Sequence, residues 1–130
     1  MRSGPKDVVE EDARVRVLVV DPDRRVLSAL RELIDNEADL AVLAAVPRTE
    51  AVPTDLPAAG VALVDVSPPS EQGLLLVRRL SRTAGWRVVA MSIRSSSRRS
   101  AGDAGAFAFV DKGDDVEALL GVVRRAATDR

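Results

Sequence analysis

The amino-acid sequence predicts one α/β domain, in which a doubly wound parallel sheet of five strands carries helices on both faces. Three observations favour this fold class. The 130 residues suit a single core, and 46% of them are apolar. Short β-branched runs alternate with stretches of helical spacing, which is typical of βαβ units. Because residues 1–13 are polar and aperiodic, we expect a flexible leader there and the folded domain over residues 14–128.

Five short apolar runs predict the strands of the sheet. Each is too short for a helix, and most are rich in valine, which favours extended structure. The predicted strands are residues 15–20, 41–46, 61–64, 87–91 and 106–110.

The connections between these strands differ in their ability to form helices. Apolar residues at helical spacing predict helices over residues 26–34, 74–80 and 116–123. The second connection contains two prolines, each of which costs ~3 kcal/mol inside a helix. The fourth connection, residues 94–105, has no large apolar side chain that could dock on the sheet. We therefore expect the second and fourth helices to be degenerate.

Composition excludes several classes of function. The chain has no cysteine and no histidine, so it offers no thiol, no imidazole base and no Cys/His zinc site. With a net charge of −1, the chain has no excess of positive charge that would attract nucleic acid or an anionic membrane. Its apolar runs are far shorter than the roughly 20 residues of a membrane span. We expect a cytoplasmic domain without a membrane partner.

Polar side chains follow four of the predicted strands. Asp21, Asp65, Ser92 and Lys112 stand at the ends of the first, third, fourth and fifth strands. Parallel strands bring their carboxyl ends to one edge of the sheet, where ligands bind in folds of this class. Carboxylates, a hydroxyl and an ammonium suit a hard divalent cation and a phosphoryl group. The edge is therefore the candidate site.

The residues around the third strand resemble the receiver domain of two-component response regulators. Asp65 stands where the family has its phospho-acceptor, with Pro69 four residues on and Gly73 eight residues on. Ser92 and Lys112 match the family's hydroxyl and lysine positions. The resemblance covers residues 15–127, and the sequence is most similar to the NarL/FixJ type of receiver domain. It implies a flavodoxin/CheY-like (βα)5 fold with strand order 2-1-3-4-5.

The resemblance also implies a role for each matching residue. Asp65 would accept a phosphoryl group from a partner histidine kinase, and Lys112 and Ser92 would bind that group. Phe109 stands at the position of the family's aromatic switch residue. Its rotation would change the face formed by the fourth helix, the fifth strand and the last helix, through which a homodimer could form.

The family's metal site is incomplete in this sequence. The resemblance implies Mg²⁺ ligands from Asp21, Asp65 and the backbone carbonyl of Ser67. Pro22 stands where the family has a second acidic residue, so we expect Mg²⁺ to bind weakly or not at all. Ile93 stands where the family prefers a small side chain, and we expect it to crowd the phosphoryl pocket.

Each candidate also has a purely structural interpretation. Asp21 followed by Pro22 suits the N-cap and first position of a helix, and a cap contributes about 1 kcal/mol. Asp65 and Lys112 could form a partly buried ion pair whose only role is to fix the positions of the strand ends. Phe109 could be a core residue.

Two functions follow from these observations. The first is an atypical receiver domain of a phosphorelay, not an enzyme, that switches a partner or output domain in transcriptional regulation. DNA would be bound only through an output domain that this chain lacks. The second is a pseudo-receiver that acts without phosphorylation, through protein contacts or a small ligand. A hydrolytic enzyme is poorly supported, because no general acid or base is placed beside Asp65.

Overall fold

A computed structural model describes residues 13–128 of the chain, which form a five-stranded parallel sheet with strand order β2-β1-β3-β4-β5. The predicted fold class and strand order are confirmed. The strands are β1 (Val15–Val20), β2 (Leu40–Val46), β3 (Gly60–Asp65), β4 (Trp86–Ser92) and β5 (Ala108–Asp111). The α-helices are α1 (Arg24–Asp35), α2 (Glu71–Ser81), α3 (Arg98–Asp103) and α4 (Val116–Thr128). Residues 1–12 of the predicted leader lie outside the described residues.

The sheet separates two apolar cores, one on each face. Val17 and Val19 of β1 point to the face covered by α1 and α4. Leu18 and Val20 point to the opposite face, covered by α2 and α3. This alternation is the period of a strand, and it leaves β1 buried from both sides. Within residues 13–128 no helix is long and apolar enough to cross a bilayer.

The connection between β2 and β3 contains only a short 3₁₀ turn, Thr49–Ala51. This agrees with the prediction that the second helix is degenerate. The indole of Trp86 packs against this connection. Its Nε1–H donates to the carbonyl oxygen of Pro57 at 2.9 Å, and the side chain is buried. A Cβ on Gly60 would lie 2.5 Å from the ring, so glycine allows this close approach.

The connection between β4 and β5 is also reduced, as predicted. It contains a 3₁₀ turn, Ser95–Ser97, and the six-residue α3. Gly105 ends α3 with a φ of 108°, and its N–H donates to the carbonyl of Gly102 at 3.0 Å. The N–H of Ala106 donates to the carbonyl of Ala101 at 3.0 Å, which completes a Schellman motif. This bonding explains why β5 begins two residues later than predicted.

Candidate functional site

Four strand ends deliver the predicted polar side chains to one edge of the sheet. Asp21 directly follows β1, Asp65 ends β3, Ser92 ends β4 and Lys112 directly follows β5. The backbone N–H of Lys112 donates to the carbonyl of Ser92 at 3.0 Å, which extends the β4–β5 pairing. Asp21 and Ser92 are fully buried. The edge is thus a partly closed polar pocket.

The ammonium group of Lys112 bridges two carboxylates in this pocket. Its Nζ lies 2.6 Å from Oδ2 of Asp21 and 2.8 Å from Oδ1 of Asp65. Burial alone would lower the pKa of Lys112, but the bonds to both carboxylates outweigh it and raise the pKa above its ordinary 10.5. The lysine therefore stays charged at neutral pH and offsets one of the two negative charges.

Asp21 does not cap α1, which corrects the structural interpretation given above. Its Oδ1 accepts from the backbone N–H of Asp23 at 2.9 Å, while Oδ2 faces Lys112. The N-cap is Asp23, whose side chain accepts from the N–H of Arg25 at 2.9 Å. The helix begins at Arg24, so Asp21 lies too far upstream to cap it. Burial raises the pKa of Asp21 above its ordinary 3.8, although Lys112 acts in the opposite direction.

A row of serine hydroxyls extends from Asp65 towards α3. Ser67 Oγ donates to Asp65 Oδ1 at 2.8 Å and lies 3.2 Å from Ser92 Oγ. Ser92 Oγ in turn lies 3.4 Å from Ser97 Oγ and accepts from the N–H of Arg94 at 3.0 Å. From the sequence, only the carbonyl of Ser67 was expected at the site, and the hydroxyls of Ser67 and Ser97 were missed. The high serine content after Ser92 was the available signal.

Ile93 does not crowd the pocket, contrary to the prediction. Its side chain is 68% exposed. Successive side chains at a strand end point to opposite sides, and Ser92 already points inwards. Pro22 lines a cavity of about 270 Å³ together with Asp65 and Ser67, and it brings no carboxylate to this side of the pocket.

Phe109 is half-buried on the face of the sheet covered by α2 and α3. The guanidinium of Arg98, the first residue of α3, lies 4.8 Å from the centre of its ring. This cation–π contact ties the start of α3 to β5. The position is compatible with both the switch and the core interpretations of Phe109.

The donor set for a metal is small. Among residues 13–128 there is no group of three or more acidic, histidine or cysteine side chains that could hold an ion. Asp21 and Asp65 offer carboxylate oxygens, which are ligands that Mg²⁺ prefers and which it often takes in ones or twos. The residues present therefore fit a hard cation in kind, but Lys112 is bonded to both carboxylates.

Strand order and an acidic pair with a lysine at the carboxyl edge define a CheY-like α/β domain. The family model of the response regulator receiver domain matches residues 17–124, most of the chain. The chain therefore belongs to the response regulator receiver family. No curated protein matches it.

Solved structures of receiver domains have the same fold. The response regulator ChrA of a heme-sensing two-component system aligns with 91% of this chain at 24% identity and a TM-score of 0.75. DrrB of Thermotoga maritima, an OmpR/PhoB homologue, aligns with 86% at 26% identity and a TM-score of 0.73. The chain spans only 59% and 52% of the lengths of these two relatives.

The preference for the NarL/FixJ type is weakly supported. The signal receiver domain of NarL from Mycobacterium tuberculosis aligns with 90% of this chain, and the alignment covers 98% of that domain. The identity is 22% and the TM-score 0.76. An OmpR/PhoB homologue matches at a similar level, so these likenesses do not separate the two types.

Proposed function

We propose that this receiver domain accepts a phosphoryl group on Asp65 and passes the signal to an output domain or partner. The observation that supports this most directly is the contact of Lys112 Nζ with Asp65 Oδ1 at 2.8 Å. It places a permanent positive charge beside the carboxylate at the ligand-binding edge of the sheet. Asp65 also ends a buried strand, which fixes its backbone position.

The proposed reaction transfers a phosphoryl group from a phosphorylated donor to the free carboxylate of Asp65. A carboxylate oxygen of Asp65 attacks phosphorus, and the bond from phosphorus to the donor breaks, with its electron pair going to the donor. The donor is the phosphohistidine of a histidine kinase, or a small acyl phosphate in a test. The product is an acyl phosphate on Asp65, so the protein is itself the substrate and acts as a signalling domain.

Lys112 and two serines would hold the transferred group. Lys112 is already charged and needs only to exchange a carboxylate oxygen for a phosphoryl oxygen. Ser67 donates to Oδ1 of Asp65, the oxygen that Lys112 also contacts, and its hydroxyl would be redirected if that oxygen attacks phosphorus. Ser92 contacts Ser67, and its hydroxyl would then turn to the phosphoryl group. That movement would reach α3 through Ser97.

Mg²⁺ would be held by Asp21, Asp65 and the backbone carbonyl of Ser67. When bound, the ion would offset the repulsion between the carboxylate and the phosphoryl group. Lys112 must share both carboxylates with the ion, and Pro22 offers it no further ligand. We therefore expect the affinity for Mg²⁺ to be low.

The partners follow from the family and stay within this proposal. The domain would act in the cytoplasm, a histidine kinase would be the donor, and a transcriptional output domain, as part of a longer protein, would bind DNA. The face formed by α3, β5 and α4 would change on phosphorylation, because the contact between Arg98 and Phe109 joins two of its elements. A homodimer could use the same face.

A second candidate is a pseudo-receiver that is never phosphorylated. The bridging position of Lys112 favours it, since the lysine already bonds both carboxylates and offsets one of their two negative charges. The absence of a carboxylate at Pro22 acts in the same direction.

Intact-mass spectrometry after incubation with Mg²⁺ and acetyl phosphate separates the two functions. We expect one phosphoryl adduct on the parent and none on Asp65→Asn. Asp111→Asn removes a carboxylate from the end of β5 and serves as the matched control, which should still be labelled. An unlabelled parent that also shows no spectral response to beryllofluoride would establish the pseudo-receiver. The DrrB receiver, 25% identical, has been solved in a BeF3-activated form, which supports the choice of this probe.

A further inference from the structure

An open cavity of the described chain lies between α1 and α4, on the face of the sheet opposite Phe109. Its volume is about 470 Å³, within the roughly 300–1,000 Å³ typical of small-molecule sites. The two helices leave it open because α1 packs mainly on β2, whereas α4 packs on β3, β4 and β5. The cavity is therefore a groove between two helices whose floor is the sheet.

The wall and floor of this groove are apolar. Ala29, an exposed residue of α1, also lines it, and a larger side chain there would narrow the opening. Most small-molecule sites have such a lining with a few polar groups at one end. The apolar residues are Val26, Leu30, Leu33, Met91, Val110 and Leu119.

The rim of the groove is acidic. Glu32, Asp111 and Asp114 line it. One oxygen of Asp111 accepts from the N–H of Gly113, and one oxygen of Asp114 accepts from the N–H of Asp111. The second oxygen of each carboxylate lies outside these two bonds. Lys112 also lines the groove, but its Nζ is drawn into the neighbouring pocket by Asp21 and Asp65. The charge that the groove presents is therefore negative.

We propose that this groove binds a small amphiphilic cation, an apolar body in the cavity with a protonated amine at the carboxylates of the rim. Hydrophobic burial would supply affinity, and the rim would select the sign of the charge. Since Lys112 forms a wall of both the groove and the pocket of Asp65, an occupant would touch a residue of the proposed phosphorylation site. The binding itself does not depend on whether Asp65 is phosphorylated.

Amide-resolved NMR titration of the folded protein tests the proposal with three probes that share one apolar body: naphthylmethylamine, naphthylmethanol and naphthylacetate. We expect the amine to bind at least about tenfold more tightly than the acetate, with the alcohol between them. The shifted amides should lie on the groove-facing sides of α1 and α4 and at Lys112.

Variants separate the groove from unspecific binding. Ala29→Phe should fill the mouth and weaken the amine at least about tenfold, whereas Ala118→Phe, on an exposed position of α4 away from the groove, should not. Asp114→Asn should weaken the amine but leave the alcohol unchanged.

Three results would each overturn the proposal: no saturable shifts with any probe, equal affinity for the amine and the acetate, or amine binding unchanged in Ala29→Phe. The acetyl phosphate experiment measures only the phosphorylation of Asp65 and does not depend on binding in the groove. If Asp65 is not labelled but the groove binds the amine, the proposed function is wrong and the proposed binding site stands.

Discussion

At the scale of single residues, the charge of Asp21 has a measurable consequence for stability. Burial raises the pKa of its carboxyl above the ordinary 3.8, against the effects of Lys112 and of the Asp23 N–H. Above pH 3.8 the unfolded chain therefore loses this proton before the folded chain does. Stability from this group falls as the pH rises from 3.8 through the folded pKa and is constant beyond it.

Asp21→Asn removes that charge and keeps the side-chain oxygen that accepts from Asp23. We expect the variant to gain stability relative to the parent as the pH rises above 3.8, with the gain levelling off once Asp21 of the folded parent is ionised. Urea unfolding at a series of pH values measures the difference. A difference that stays flat or falls with pH would contradict this account of the pocket.

Asp39 provides a control of opposite sign for the same measurement. Hydrogen bonds from Arg124 lower the pKa of Asp39 below its ordinary 3.8, and they tie α4 to the residues before β2. Its stabilising contribution is present above pH 3.8 and lost as the pH falls through the folded pKa. Asp39→Asn should therefore lose stability relative to the parent as the pH rises.

The sequence predicted which residues meet at the site, but not how they bond. Asp21, Asp65, Ser92 and Lys112 could be placed together because strand ends of a parallel sheet share one edge. The bridging of two carboxylates by Lys112 depends on the direction of a long side chain, which no local pattern encodes. The Ser67 hydroxyl bond to Asp65 depends in the same way on the conformation of the loop after β3.

At the scale of elements, α2 has one face of side chains in the core and another in solvent. Leu80 is 1% exposed and Leu75 is 62% exposed on the same helix. We expect Leu80→Ala to lower the free energy of unfolding by about 2–5 kcal/mol, because it opens a cavity in a packed core. Leu75→Ala should change it by no more than about 0.5 kcal/mol, as is usual at exposed positions.

Denaturant unfolding of both variants tests this division. The two substitutions remove the same atoms from the same helix, so the difference between them isolates burial from helix propensity. Equal losses would mean that α2 does not pack on the sheet through Leu80.

The elements themselves were predictable where a pattern extends over several residues. The two reduced connections followed from Pro53 and Pro57 and from the lack of large apolar side chains in residues 94–105. The start of α2 was missed because its first turn, from Glu71 to Gly73, is not apolar. Gly73 is required there by a tertiary contact: a Cβ would lie 2.5 Å from the carbonyl oxygen of Asp65.

At the scale of the whole molecule, burial is unevenly distributed over the sheet and its connections. β1 pairs with both β2 and β3, and its residues Val17–Val19 are fully buried. By contrast, α3 is only six residues long and buries one of them, Ala101. Its small apolar contact cannot offset much chain entropy, so it should open without the rest of the domain.

Native-state amide hydrogen exchange measures this difference directly. We expect the amides of β1 and β3 to exchange only through global unfolding, and those of α3 to exchange at least about tenfold faster, through local opening. The serine row from Asp65 to Ser97 ends at α3, so its local stability also determines how easily the site could reshape this part of the surface. Phosphorylation that redirects the Ser67 and Ser92 hydroxyls should change exchange in α3 and leave β1 unchanged. Amides of α3 that exchange as slowly as those of β1 would show instead that the connection is a rigid part of the core, and the row of hydroxyls could not then act on it.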